Sequence, residues 1–173
     1  TRWRRGQPEQ DRVMARNASA APVADNDYLA GHAQLLIASF RRLTGRDLVS
    51  PSAQLAEQAR MLFEAPFVVA SHGTGADPVF NYGNRATLAL FETTWAEFIA
   101  MPSRLSAEPV AQEERAKLLA RVSEAGFIDD YQGVRVSRTG RRFLIERATV
   151  WNVVDASDVY RGQAVTFRDW RYL

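Results

Sequence analysis

Apolar and polar positions divide the chain into a helical first third, a hairpin followed by a helical middle, and three closing strands. Leu29, Leu36, Phe40 and Leu43 recur near helical spacing. This predicts a helix opened by Asp25 or Asn26 and running to about Leu43, with Gly45 as a left-handed stop. Ser50-Pro51 predicts the start of a second helix, striped by Leu55, Ala59, Leu62 and Phe63 and ended before Pro66. Phe67-Val-Val-Ala-Ser-His-Gly73 and Val79-Phe-Asn-Tyr82, separated by a turn-rich Gly73-Thr-Gly75-Ala-Asp-Pro78, predict a hairpin. Asn84 opens helical turns through Phe91 that continue through Trp95, Phe98 and Met101 to Pro102. A further helix fits Ala107 to Ala125, with Ala111, Leu118, Val122 and Ala125 on one face, Glu113 and Lys117 paired on the solvent side, and Gly126 as its stop.

The end of the chain alternates with the strand period. Tyr131 to Gly140, Gly140 to Val154 and Gly162 to Leu173 predict three consecutive strands. In the central one, strict alternation puts Phe143, Ile145, Arg147, Thr149, Trp151 and Val153 on one face. Leu144, Glu146, Ala148, Val150, Asn152 and Val154 fall on the other, and either face is eligible to be the inner one. A buried Arg147 or Glu146 needs a partner, since an unpaired buried charge is costly. Arg104, Arg85 and Arg135 are candidates to meet a carboxylate.

Composition adds exclusions. The 173 residues are 46% hydrophobic and 24% charged, enough for a core without disulfides or metal. There is no cysteine, which excludes a disulfide scaffold, a thiolate metal site and a cysteine nucleophile. Five arginines against two acids give residues 1–17 an excess of three positive charges, within a chain of net charge +2. The remainder has no basic bias, so nucleic-acid binding by the folded domain is not expected. Residues 1–24 read as a disordered basic leader without the apolar core of a secretory signal. Met14 is a candidate true start, and Asn17-Ala-Ser19 is a glycosylation sequon by letters alone. No apolar run has the length of a membrane span, and a cytoplasmic location is expected.

Motif chemistry is sparse. His32 and His72 lie on different elements and have no cysteine partners, which argues against zinc. A haem-ligating His72 is weighed against a hydrogen-bonded strand-end imidazole, which is preferred. Ser71 and His72 are adjacent on a strand and point to opposite faces, so they cannot form a nucleophile–base pair. Gly73-x-Gly75 is too short to cradle phosphate. Asp129-Asp130 and Glu113-Glu114 read as solvated acids, leaving acid–base catalysis unsupported.

The layout of a short hairpin, a helical middle and a three-strand finish is that of a PAS-type sensor domain. The residues also resemble the MEKHLA domain, a PAS-related family. The matching blocks include Ala65-Pro-Phe-Val-Val-Ala-Ser-His72, Asp77-Pro-Val-Phe-Asn-Tyr-Gly-Asn-Arg85, Ala89-Leu-Phe-Glu92, Trp95, Pro102-Ser-Arg104, Ser106-Ala-Glu108, Gly126-Phe-Ile128, Tyr131-Gln-Gly-Val-Arg-Val-Ser137, Gly140-Arg-Arg-Phe143, Val150-Trp-Asn152 and Gly162-Gln-Ala164. The family occurs as small bacterial proteins and as the C-terminal domain of plant class III homeodomain–leucine zipper proteins, and a bacterial source is expected for this chain. The resemblance implies an α+β fold with a PAS-like five-stranded antiparallel sheet and helices on one face, preceded by two N-terminal helices. It also implies a sensory or regulatory role; the residue pattern gives the expected divisions 1–24 leader, 25–64 helices and 65–173 PAS-like domain, and no catalysis is expected.

Trp95, Phe98, Met101, Phe127 and Trp151 are the expected cavity residues, with Arg104, Arg147 and Asn152 as polar candidates. The expected ligand is small and apolar or aromatic. Leu29, Leu36 and Phe40 are the expected face for a homodimer or protein partner. The resemblance names no cofactor. Flavin adducts and coumaryl thioesters in light-sensing relatives both need a cysteine, so neither is expected. A ligand-free interaction module is the main alternative, and a small isomerase-like enzyme the weaker one.

Overall fold

The computed structural model describes residues 20–173, apart from the side chains of residues 109–112. The expected leader up to residue 19, with Met14 and Asn17, lies outside the described residues, as does the side chain of Ala111. After a 3-10 segment, Ala24–Leu29, the chain forms α1 (Ala30–Thr44), α2 (Leu55–Glu64), β1 (Val68–His72), β2 (Phe80–Gly83), α3 (Arg85–Leu90) and α4 (Trp95–Phe98). A second 3-10 segment, Ser103–Ser106, leads into α5 (Pro109–Ala125), β3 (Phe127–Val136), β4 (Arg142–Val154), β5 (Tyr160–Phe167) and β6 (Asp169–Tyr172). The expected antiparallel sheet forms in the order β2-β1-β5-β4-β3, with β6 added beside β4. β6 continues β5 in unbroken register, since Thr149 faces Thr166 and Glu146 faces Asp169.

Several boundaries differ from the sequence pattern for local reasons. Asn26 does not cap α1. Its side chain folds back, accepting from Val23 N and donating to Ala21 O. The backbone is left-handed at Asp27, Tyr28 and Leu29, so the helix starts only at Ala30. The leader boundary also moves below residue 24, because Pro22 is fully buried and Ala21 packs on the core. Pro51 sits in a turn ahead of α2, and Gln58 Nε2 donates to Ala53 O beside it. The helix expected from Asn84 to Met101 is two helices. Thr94 and Glu97 form a reciprocal capping box that restarts it, after a left-handed Glu92. Gly45 and Gly126 end α1 and α5 as expected.

The sheet lies between two helical layers. On its inner face, Val68, Ala70, Phe143, Ile145, Ala148 and Phe167 pack against Leu90, Phe91 and Phe98 of the α3–α4 region. Leu118 and Val122 of α5 cover Ile128 and Val150 on the same side. On the outer face, Ala33, Leu36 and Phe40 of α1, with Ala59 and Leu62 of α2, cover Val69, Trp151 and Val153. The two added helices thus close the second face within the same chain. This overturns the docking role expected for α1. Leu36 and Phe40 are 0% and 4% exposed, and Leu29 packs against the same cluster. Their apolar surface is already spent on the chain's own core, roughly 1.5–3 kcal/mol for each fully buried large side chain.

β4 contains the main departure from simple alternation. Phe143 and Ile145 face inward, but so do Ala148 and Val150, whereas Trp151 and Val153 face outward. The phase changes at Arg147, whose φ is +49°. Opposite it, the β3 pairing shifts between Tyr131 and Gly133. One irregular residue moves every later side chain to the other face. Arg147 itself points out, 78% exposed, with Nη2 2.8 Å from Asp169 Oδ2. Glu146 pairs with Arg171 on the surface. Neither Arg147 nor Glu146 is buried, so neither needs an inner partner; of the candidate partners, Arg104 pairs with Asp77 and Arg85 with Glu64.

Candidate functional site

The inner face forms a partly open cavity of about 60 Å³ between α5 and the sheet. Val68 and Ala70 of β1, Ile145 and Val150 of β4, and Val165 and Phe167 of β5 form its apolar wall. Leu118 and Leu119 of α5 cover it, and Phe91 closes one side. Its polar margin comes from Arg115, Tyr131, Arg135, His72, Ser106 and Gln163.

Two of these groups are cations with neutral partners. Arg115 Nη2 donates to Ser103 Oγ at 2.7 Å. Arg135 is 8% exposed, donates from Nη1 to Val134 O at 2.9 Å, and lies over the Tyr131 ring at 5.2 Å. Burial, followed by the like charge of Arg135, lowers the pKa of Arg115 to about 10. Burial also lowers that of Arg135, against the opposing influence of Tyr131. His72 Nδ1 lies 2.8 Å from Gly73 O, so the neutral ring carries its proton there and its Nε2 holds a lone pair. That Nε2 is buried without a partner. Gly162 makes this corner feasible, because a Cβ at its φ of +138° would collide with His72 O.

The eight ligand candidates read from the sequence lie elsewhere. Phe98 is in the inner core, stacked on Phe80 at 4.2 Å, and Met101 packs beside it, but neither lines the cavity. Trp95 meets Tyr82 edge-on in the outer cluster, where Phe127 also packs. Trp151 turns outward to Phe40 because of the phase change at Arg147. Arg104 is a surface partner of Asp77. Arg147 lines a separate outer cleft of about 230 Å³ with Arg46 and Arg168. Asn152 is a structural pin: its Nδ2 donates to Val122 O at 3.1 Å, while Gln163 Nε2 donates to Leu119 O at 3.0 Å. Together they fasten the C-terminal half of α5 to the sheet.

Charged helix residues usually face water, and this hides Arg115 in the sequence. The signal that could find it is helical spacing, since residues 115, 118 and 122 share a face and Leu118 and Val122 are buried. Arg135 has a comparable signal, sharing strand parity with Tyr131 and Gly133. His72 is conspicuous by residue type, but its free lone pair depends on the backbone turn at Gly73.

Across the sheet, His32 of α1 stacks on Tyr82 and its Nε2 lies 3.1 Å from Ser71 Oγ, which donates to Asn81 Oδ1 at 2.6 Å. Burial pushes the His32 pKa down to about 4 and lowers that of His72 as well. Both rings are neutral in the fold, whereas the unfolded chain takes up protons near pH 6.5. Stability is therefore full above that pH and declines as pH falls from about 6.5 towards 4. His32 should contribute about 2 kcal/mol of loss between pH 7.5 and 4.5. Urea unfolding at the two pH values measures it. The His32→Gln variant keeps a donor for Ser71 and should flatten the dependence by that amount; an unchanged slope would refute the assignment.

Comparison with known proteins identifies the lineage. The family model described as the MEKHLA domain matches residues 30–172. The chain belongs to the MEKHLA domain family. Among relatives of this MEKHLA chain, homeobox-leucine zipper protein ATHB-9 of Arabidopsis thaliana is 31% identical over 103 residues, 58% of this chain and 12% of that protein. Homeobox-leucine zipper protein HOX32 of Oryza sativa subsp. japonica is 28% identical over 140 residues, 78% of this chain and 16% of that protein. The MEKHLA chain thus spans less than a fifth of these relatives. They are plant proteins and give no support to the expected bacterial source.

Solved structures show the PAS fold. A PAS domain from Colwellia psychrerythraea superposes with TM-score 0.58 and 14% identity, over 66% of this chain and 95% of that one. The light-state dimer of the fungal blue-light photoreceptor Vivid does so with TM-score 0.53 and 12% identity, over 78% and 93%. Among the described residues of the MEKHLA chain, no helix is long and apolar enough to cross a membrane.

Proposed function

We propose that this MEKHLA domain is a non-enzymatic sensory module that holds a small molecule in the inner cavity and signals through protein contacts. The observation that carries this reading is a partly open, largely apolar space between α5 and the sheet. Asn152 and Gln163 hold the C-terminal half of α5, while the half bearing Arg115 rests beside the cavity on a serine hydroxyl. A ligand that binds better to one packing of α5 shifts the population towards it. β1 carries both cavity residues and Ser71, the partner of His32, and so connects the cavity to α1. The apolar ligand expected from the sequence is retained, now placed against β1, β4 and β5. The ligand-free interaction module remains the competing reading.

A thermal-shift screen of small neutral and charged compounds, together with native mass spectrometry of freshly purified protein, tests this. At least one compound class should raise the melting temperature of the wild type, and Ala70→Leu, which fills the cavity, should abolish that response. If no class acts on the wild type while Ala70→Leu is simply more stable, the space is a packing defect and the interaction module is the better account.

A further inference from the structure

We propose that the inner cavity binds a small monocarboxylate, its anion held by Arg115 and Arg135 and its short hydrocarbon body lying against Val68, Ile145 and Phe167. The inference rests on the sensory reading above and gives its ligand a chemical class.

The charge pattern is the main reason. Arginines on the surface of this chain find acids: Arg104 meets Asp77, Arg138 meets Glu97 and Arg142 meets Glu108. Such exposed pairs contribute little to stability. At the cavity the arrangement is reversed. Among the described residues, neither Arg115 nor Arg135 forms an ion pair with a carboxylate: Asp77, already paired with Arg104, acts on Arg115 only from a distance, and both arginines donate to neutral oxygens. A buried cation without an anion is costly, and two close together repel. An anion between them satisfies open N–H groups on both guanidinium forks and cancels the repulsion.

The other walls restrict which anion is suitable. Away from the arginines and Tyr131 the lining is mainly aliphatic and aromatic, the Ser106 hydroxyl and Gln163 amide already donate to backbone oxygens, and His72 Nε2 can only accept, so a phosphate would leave oxygens facing groups with nothing to donate. A single carboxylate with an apolar body matches both ends of the site. A cavity of about 60 Å³, at roughly 10–15 Å³ for each water-sized occupant, takes a molecule of about four to six non-hydrogen atoms. The unpartnered Nε2 of His72 supplies one further acceptor on the same wall, suited to a hydroxyl or a water carried with the ligand.

There is also a way in. A groove of about 350 Å³ between α5 and β3 shares Arg115, Leu118, Tyr131 and Arg135 with the cavity. Lys117, Arg121, Glu114 and Asp130 also line it. The two arginines therefore stand at the junction between groove and cavity. Closing them on one carboxylate would draw the turn of α5 that bears Arg115 towards β3.

The test is thermal shift and calorimetry on the full chain at constant ionic strength. The probes are sodium acetate, propionate and butyrate, with propionamide and 1-propanol as neutral analogues and inorganic phosphate as a second anion. Propionate or butyrate at ten times its Kd should raise the melting temperature by about 3–6 °C, and the neutral analogues and phosphate by much less. Arg115→Met should keep or exceed the wild-type melting temperature without ligand, because it removes a half-buried charge, while weakening carboxylate binding at least tenfold. Arg135→Gln should weaken it similarly. If Arg135→Gln fails to fold, Arg115→Met, at the less buried position, decides alone.

A wild type that responds to propionamide or propanol but not to carboxylates overturns the carboxylate assignment and leaves the sensory reading intact. Phosphate binding more tightly than butyrate also overturns it. Carboxylate binding that survives Arg115→Met removes this site from the explanation. No response to any probe counts against both readings.

Discussion

Replacing Asn84 with alanine is expected to destabilise the fold by about 3–4 kcal/mol, lowering the melting temperature by roughly 8–14 °C. Asn84 is fully buried, and its amide is used at both ends. Oδ1 accepts from Val69 N at 3.1 Å, Thr87 N at 3.1 Å and Thr87 Oγ1 at 2.8 Å. Nδ2 donates to Leu62 O at 3.1 Å and Phe67 O at 2.7 Å. One side chain thus caps α3, receives the backbone of β1 and binds the chain where α2 ends. Alanine leaves those groups inside without water to replace the lost bonds. Asn84→Asp retains the cap but loses both donors and adds a buried charge, so it should be at least as harmful. Urea unfolding measures both, and a loss below about 1 kcal/mol for Asn84→Ala would show that the surrounding backbone finds other partners.

Trp151→Ala is the other large expected effect, about 3–5 kcal/mol. The indole is fully buried, meets the Phe40 ring edge-on with centroids 4.9 Å apart, and donates from Nε1 to Ser39 Oγ at 3.2 Å. Trp151→Phe should cost less, since it keeps most of the apolar area and gives up one hydrogen bond. Trp151 faces α1 rather than the inner cavity. A ligand response measured as a shift from each variant's own baseline should therefore survive in Trp151→Phe. If Phe at this position abolishes binding while the fold stays intact, the outer layer takes part in the ligand site and the inner cavity does not act alone.

Much of the architecture is legible in the sequence because it follows from periodicity. The hairpin, the helix stops at Gly45 and Gly126 and the three closing strands all leave repeated or compositional marks. The break before α4 is also written in Thr94-Trp-Ala-Glu97, which has the spacing of a capping box, but the apolar stripe running past it is the stronger pattern. The cavity residues are harder to find. The aromatic residues selected for it are large and apolar, and such residues belong equally to any core. Which layer they enter depends on strand phase, and that phase turns on the backbone at Arg147. A positive φ at glycine is easily anticipated; at arginine it leaves no compositional trace. Arg115 and Arg135 are concealed for the opposite reason, because guanidinium groups are ordinarily assigned to solvent.

The irregularity at Arg147 also has a genetic meaning. A strand of uninterrupted alternation would have one assignment of faces from end to end. In β4 a single codon separates the part that presents Phe143 and Ile145 to the cavity side from the part that presents Trp151 and Val153 to α1. Deleting that codon would set the two halves in competition, with either Phe143 and Ile145 near the start of the strand or the indole near its end forced into the wrong layer. Substitutions at position 147 should thus be tolerated far more readily than changes in length, so a surface-exposed residue would be strictly retained as a place while being free to vary as a side chain.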